Sequence, residues 1–284
     1  MAATVSKFCS SVDGTLIYAE ATGNPENPGV VFAHGVMLSG IVFDNLFSDE
    51  RLLDKLYLVR YDVRGHGRSG KPRDPEGYAS LLYAADFSAV AKEFFLDTPV
   101  FVGWSAGVPI ASDICSHISP VPLRGIIAIS GALCANEAHK TLKPKLLELI
   151  PKLISSDAAT ALSSRIEFVD SVFIDPHQVS FSVKAAWVGC TVMRSPEVAK
   201  ATLIGHRPDQ AKLVQLGAQG FPAMILYGTD DQFQDGRVVA AHARPYFTNL
   251  EVVAIEGGSH SPFFDNMDVT VGHILSFCLR VGGQ

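Results

Sequence analysis

No stretch of this chain stays apolar over the roughly 20 residues that a bilayer-crossing helix needs, so no membrane span is expected. Lys and Arg gather nowhere into a block, and 23 basic residues against 29 acidic ones leave a formal net charge of −6. That balance offers no basic surface to a nucleic-acid backbone and no polybasic membrane anchor. Cysteine is sparse: Cys9, Cys115, Cys134, Cys190 and Cys278 are odd in number, widely scattered and never spaced C-x-x-C. They read as reduced, mainly buried thiols, and residues 1–11 hold a single Lys and no apolar core of a secretory signal. A cytoplasmic protein is therefore expected. The nine histidines show neither H-E-x-x-H spacing nor pairing with cysteine, so no metal site is expected.

What is present is a chain of 284 residues, 48% hydrophobic and 18% charged, which is the profile of a globular protein with one large core. A hairpin is expected first, from strands at 5–10 and 15–21 around Val12-Asp13-Gly14. Short apolar runs of strand length follow at 30–33, 56–61, 100–103, 125–130, 223–227 and 252–255. Runs apolar on both faces suit a parallel sheet covered by helices on each side. Between them Leu81, Leu82, Ala85, Phe87, Val90, Ala91, Phe94 and Phe95 follow a helical period, as do Phe264, Met267, Val271, Ile274, Leu275 and Cys278. The alternation predicts an α/β fold with a doubly wound, mostly parallel sheet of about eight strands. From about 134 to 220 no strand is legible, and Asp175-Pro176 and Ser195-Pro196 each place a capping side chain before a proline at a first helical position. The expected organisation is a core of residues 1–133 and 221–284 with a helical insertion at 134–220, too long for an ordinary loop and suited to capping an active site.

The strongest chemical signal is Gly103-Trp104-Ser105-Ala106-Gly107, with the apolar run Pro99-Val100-Phe101-Val102 before it and Ile110, Ala111, Ile114 and Cys115 after it. A G-x-S-x-G between strand and helix is the nucleophile elbow, a tight turn that lifts a serine hydroxyl above the sheet. Such a serine needs a general base, and the base needs an orienting carboxylate, each following a later strand in the order Ser, acid, His. His260 comes just after the run at 252–255, across the loop Glu256-Gly257-Gly258-Ser259. The acid is expected after 223–227, where Gly228-Thr229-Asp230-Asp231-Gln232 offers two aspartates, with Asp235 a distant third. An oxyanion hole requires two backbone N–H donors. Ala106, after the nucleophile, is one candidate, and the loop His34-Gly35-Val36-Met37 supplies Val36 as the other, with Met37 as its alternative. Gly65-His66-Gly67-Arg68-Ser69-Gly70-Lys71 spells both dinucleotide and P-loop patterns, but two prolines in a charged loop follow, where phosphate binding requires a helix N-terminus. Both nucleotide readings are rejected.

Together these motifs resemble the α/β-hydrolase superfamily, in its cap-bearing, serine esterase-like branch. The matching residues are His34-Gly35, Tyr61 to Ser69, the elbow, Gly228 to Asp231, and His260, in family order across nearly the whole chain. The resemblance favours Asp231 over Asp230 as the acid, three residues after Gly228, and assigns the Arg64 to Ser69 turn no catalytic role. Relatives that open epoxides or remove halide carry aspartate at the elbow, so Ser105 points to acyl transfer. Val108 departs from the family, many of whose members have a further glycine there. The implied reaction is hydrolysis of a carboxylic ester, lactone or thioester through a Ser105–His260–Asp231 triad and an acyl-enzyme. It needs no cofactor, and perhydrolysis is a side activity open to it. A small apolar ester is the expected substrate, with Met37, Trp104, Phe168, Phe173 and Trp187 as pocket walls and Phe181 and Met193 as further candidates from the insertion. The rival readings are a carbon–carbon bond hydrolase or lyase on the same triad, and a ligand-binding protein of this fold with little turnover.

Overall fold

The computed structural model describes residues 4–134 and 139–282. Its centre is an eight-stranded sheet: β1 (Val5–Ser10), β2 (Leu16–Thr22), β3 (Gly29–Ala33), β4 (Tyr57–Tyr61), β5 (Val100–Trp104), β6 (Gly125–Ile129), β7 (Ala223–Gly228) and β8 (Leu250–Ile255), in the spatial order β1-β2-β4-β3-β5-β6-β7-β8. The β1–β2 hairpin is antiparallel and β2 runs antiparallel to β4, while every later pairing is parallel. Parallel neighbours require crossovers, and the helices supply them. The helices in chain order are α1 (Glu50–Leu53), α2 (Ser80–Glu93), α3 (Ile110–His117), α4 (Pro144–Leu153), α5 (Ala158–Asp170), α6 (Phe181–Val192), α7 (Pro196–Gly205), α8 (Ala211–Ala218), α9 (Gly236–Ala243), and, after the last strand, α10 (Pro262–Asp265) and α11 (Met267–Gly282).

Because side chains alternate across a strand, the unbroken apolar runs fill two cores at once. Val31, Val59, Phe101, Ile126 and Ile225 face one side, under Phe87 of α2, Ile114 of α3 and Val239 of α9. Phe32, Leu58, Val102, Ile127 and Leu226 face the other, under Ile274 and Phe277 of α11. Between β6 and β7 the described residues form five helices, α4 to α8. The last of these rests on α3 and sends Leu213 into the first core, so it packs as an ordinary crossover helix. Leu149, Leu153, Phe168 and Trp187 of the earlier insertion helices join the second core.

The two cap-then-proline helix starts expected in the insertion diverge. Ser195 accepts from Val198 N and Pro196 begins α7, as the pattern predicts. Asp175 instead accepts from His177 N at 2.9 Å and closes a turn, and the next helix starts after Ser180, whose hydroxyl caps α6. The short Asp side chain serves an Asx turn as well as a helix cap, and sequence alone does not separate the two. Among the described residues no helix is long and apolar enough to cross a membrane.

Candidate active site

Strand β5 ends at Trp104, and the chain turns sharply through Ser105, whose φ of +53° is a left-handed conformation rare for a residue with a side chain. The turn is tight enough to demand glycine on both sides. A Cβ at Gly103 would lie 2.5 Å from Val108 Cα, and one at Gly107 would lie 2.8 Å from His34 O and overlap the Ala33 carbonyl. Val108, the departure from the family pattern, is fully buried and seats its side chain over Gly131, where a Cβ would collide with it. The room for the Val108 side chain comes from the absence of one at Gly131.

The other groups arrive from the carboxyl ends of β7 and β8. His260 Nδ1 stands 2.8 Å from Asp231 Oδ2, and both residues are buried. The second carboxylate oxygen, Asp231 Oδ1, accepts from Phe233 N at 2.7 Å and Gln234 N at 3.1 Å, which fixes the carboxylate plane. Asp230 is exposed: its backbone N–H donates to Gly258 O, and its carboxylate accepts a long 3.4 Å bond from the neighbouring Thr229 hydroxyl. Trp104 Nε1 donates to the His260 carbonyl at 2.8 Å, so the residue before the serine also holds the histidine loop. That loop is braced from the insertion: Ser261 N and Oγ both donate to Val172 O, and Ile174 N donates to Asp265 Oδ2. Burial raises the Asp265 carboxyl above its ordinary value, against the lowering effect of the Ser259 hydroxyl and Ile174 N–H.

Ser105 and His260 open onto one cavity of about 200 Å³, together with Val36, Met37, Ala106 and Gln234. No hydrogen bond joins Ser105 Oγ to His260 among the described residues, a spacing common before substrate binds. Met37, with φ +69°, turns the loop that carries Val36 into this wall. The remaining expected pocket residues are placed elsewhere. Phe168 stacks on Phe233, which abuts His260, and Phe173 packs between Trp187 and Phe264, while Trp187 reaches Trp104. Trp104, Phe168, Phe173 and Trp187 thus form an aromatic bracket behind the histidine, because rings this large bury most area in the core between insertion and sheet. Phe181 and Met193 face solvent, at 87% and 65% exposure. The apolar wall comes instead from Leu142, from Leu146, Ile150 and Leu153 of α4, and from Leu203 of α7. Leu146, Ile150 and Leu153 recur at helical spacing, an apolar stripe legible in the sequence without any aromatic.

Beside this cavity lies a second, of about 440 Å³, sharing Val36, Ala106, Pro109 and Leu203 with it. His34 and His66 line it, and burial, reinforced at His66 by the charge of Arg194, holds the His66 imidazole well below its ordinary value. Burial likewise lowers His34. The nucleotide-like glycine motif makes a structural turn, with Gly65 and Gly67 at positive φ and Asp62 accepting from Gly40 N and Arg68 N. No helix N-terminus follows it directly, so the rejection of phosphate binding has its local reason.

A family model described as "Alpha/beta hydrolase family" matches residues 30–273. The non-heme chloroperoxidase of Streptomyces lividans is 24% identical over 271 residues, covering 93% of this chain and 96% of that protein. "Probable oxidoreductase EphD" of Mycobacterium tuberculosis is 37% identical over 98 residues, which are 34% of this chain but only 16% of that relative. Among solved structures, a candidate aryl esterase from Burkholderia cenocepacia superposes with a TM-score of 0.89 at 22% identity, covering 99% of this chain and 100% of that one. The esterase RhEst1 from Rhodococcus sp. ECU1013 follows at 0.84 and 22% identity, covering 97% and 99%. These two likenesses establish the shared fold.

Proposed function

Since the chain belongs to the alpha/beta hydrolase family, we propose that it is a serine hydrolase that cleaves a carboxylic ester, lactone or thioester through an acyl-enzyme on Ser105. The observation that carries this reading is the buried Asp231–His260 pair at 2.8 Å, opening with Ser105 onto one cavity. His260 accepts the Ser105 proton as the oxygen attacks the carbonyl carbon, and Asp231 holds the imidazole with Nε2 as its free acceptor. The N–H groups of Val36 and Ala106 receive the oxyanion, each such donor being worth about a hundred- to a thousandfold in rate. His260 then protonates the leaving alcohol and activates the water that frees the acid. The insertion, from near residue 134 to the start of α8, acts as a cap. Its α4 leucines give the leaving group an apolar wall, which favours a small apolar alcohol.

The likeness to a chloroperoxidase over most of both chains supports a second use of the acyl-enzyme. Hydrogen peroxide in place of water would attack the same carbonyl, giving a peracid and free Ser105. The rival lyase and binding-protein readings share the fold but not the expected outcome of a turnover assay. Short-chain 4-nitrophenyl esters should be hydrolysed by the wild type, with kcat reduced at least about a thousandfold in Ser105→Ala. Equal rates for the two proteins would refute the proposal.

A further inference from the structure

The two cavities that meet at Val36 and Ala106 differ in chemistry. The one containing Ser105 and His260 is walled by α4 leucines, whereas the larger one is lined by His34, His66, Thr202, His206 and Arg207 and by no Asp or Glu among the described residues. Arg207 is exposed at its margin and makes no ion pair among the described residues. Behind its wall Arg194 is 4% exposed, donates to His66 Nε2 and Thr202 Oγ1, and leaves its Nε without a partner. Neither partner is an anion. His66 Nδ1 must donate to Arg64 O at 3.0 Å, which leaves Nε2 as an acceptor on a neutral ring. His34 is neutral in the same way, since its Nε2 accepts from Val63 N at 2.9 Å. Buried Asp113 is already engaged by the lining residue His206 at 2.7 Å, and buried Asp62 by Gly40 N and Arg68. A buried guanidinium with only neutral partners is costly to fold, and its positive charge lies one side chain behind the chamber wall that His66 and Thr202 form.

We propose that this larger chamber receives a carboxylate carried on the acyl part of the substrate, so that the preferred ester is the half-ester of a dicarboxylic acid. The assignment of ends rests on the Ser105 reading. His260 must protonate the leaving oxygen and lines only the apolar cavity, so the alcohol leaves there. The acyl chain then passes along Pro109 and Leu203, which line both cavities, toward Arg207 and the Arg194-backed wall, while the carbonyl oxygen stays on the Val36 and Ala106 N–H groups. The reaction consumes one water, breaks the acyl–oxygen bond, and releases an alcohol and a dicarboxylate.

The test compares adipate with hexanoate, acids of equal chain length differing in one terminal carboxylate, by calorimetric titration of the wild-type protein. The expected result is adipate binding at least about tenfold tighter, a preference weakened by added salt and reduced to within about threefold in Arg207→Gln. Monomethyl adipate should likewise exceed methyl hexanoate in kcat/KM by about tenfold or more, chiefly through KM. Equal affinity for the two acids, or a preference unchanged in Arg207→Gln, overturns the proposal. Because the titration requires no turnover, a diacid preference in a protein that hydrolyses neither ester would support the chamber assignment while removing the Ser105 reading.

Discussion

Asp230 and Asp231 are neighbours in the chain, but the turn after β7 sends them to different surroundings. Asp230 faces solvent, while Asp231 is buried between His260 Nδ1 and the Phe233 and Gln234 amides. If Asp231 orients the imidazole, Asp231→Asn should lower kcat by about 10⁴-fold by presenting the wrong tautomer, and Asp230→Asn should change it less than about threefold. Steady-state turnover of a 4-nitrophenyl ester would reveal a reversed ranking at once. The sequence left this pair open on local grounds, because both side chains suit a turn and only the fold decides which is enclosed. The pocket aromatics were less legible. Ring size predicts burial well, yet burial behind the histidine and burial around a substrate look alike in one dimension.

At the scale of elements, the turn from β4 toward α2 is held by one buried ion pair. Arg64 donates from Nε and Nη2 to the two oxygens of Asp86 at 2.7 and 2.6 Å, and its Nη1 reaches the Gly77 carbonyl. Both side chains are essentially inaccessible, so removing the acid leaves the buried guanidinium only the partly exposed Asp13, at 3.1 Å, as an anionic partner. Asp86→Ala should lower unfolding free energy by about 3–5 kcal/mol in urea denaturation, and a loss below about 1 kcal/mol would show that the pair is dispensable. The glycine-rich stretch in this turn was distinguishable from a phosphate loop by the prolines after it. The elbow was legible for a similar reason, since strand, glycines and helix are contiguous in the chain. Compensation of Val108 by Gly131 was not, because the two meet only in the folded state.

For the whole molecule, the eight-strand alternation was readable because parallel strands buried on both faces leave unbroken apolar runs. The insertion was readable as helical, but its return to the core at α8 depends on packing against α3, which carries no sequence signature. The two-sided core also fixes the chemistry of the thiols. Burial pushes Cys9 up to about 11, with Glu93 adding to the effect, and pushes Cys115 up to about 12. A thiol whose pKa is raised by folding stabilises the fold while it stays protonated. That contribution is present below the ordinary 9.0 and is lost as pH climbs toward 11. At pH 8 both cysteines should resist iodoacetamide in the native protein and react on denaturation, as peptide mass spectrometry would show; rapid native labelling would contradict the burial.

The central claim is that Ser105 is an activated nucleophile, and a fluorophosphonate probe tests it most directly. Labelling of the wild type, with the adduct mapped by mass spectrometry to Ser105 and abolished in Ser105→Ala, is the predicted result. An unlabelled wild type, or equal labelling of the two proteins, would contradict it.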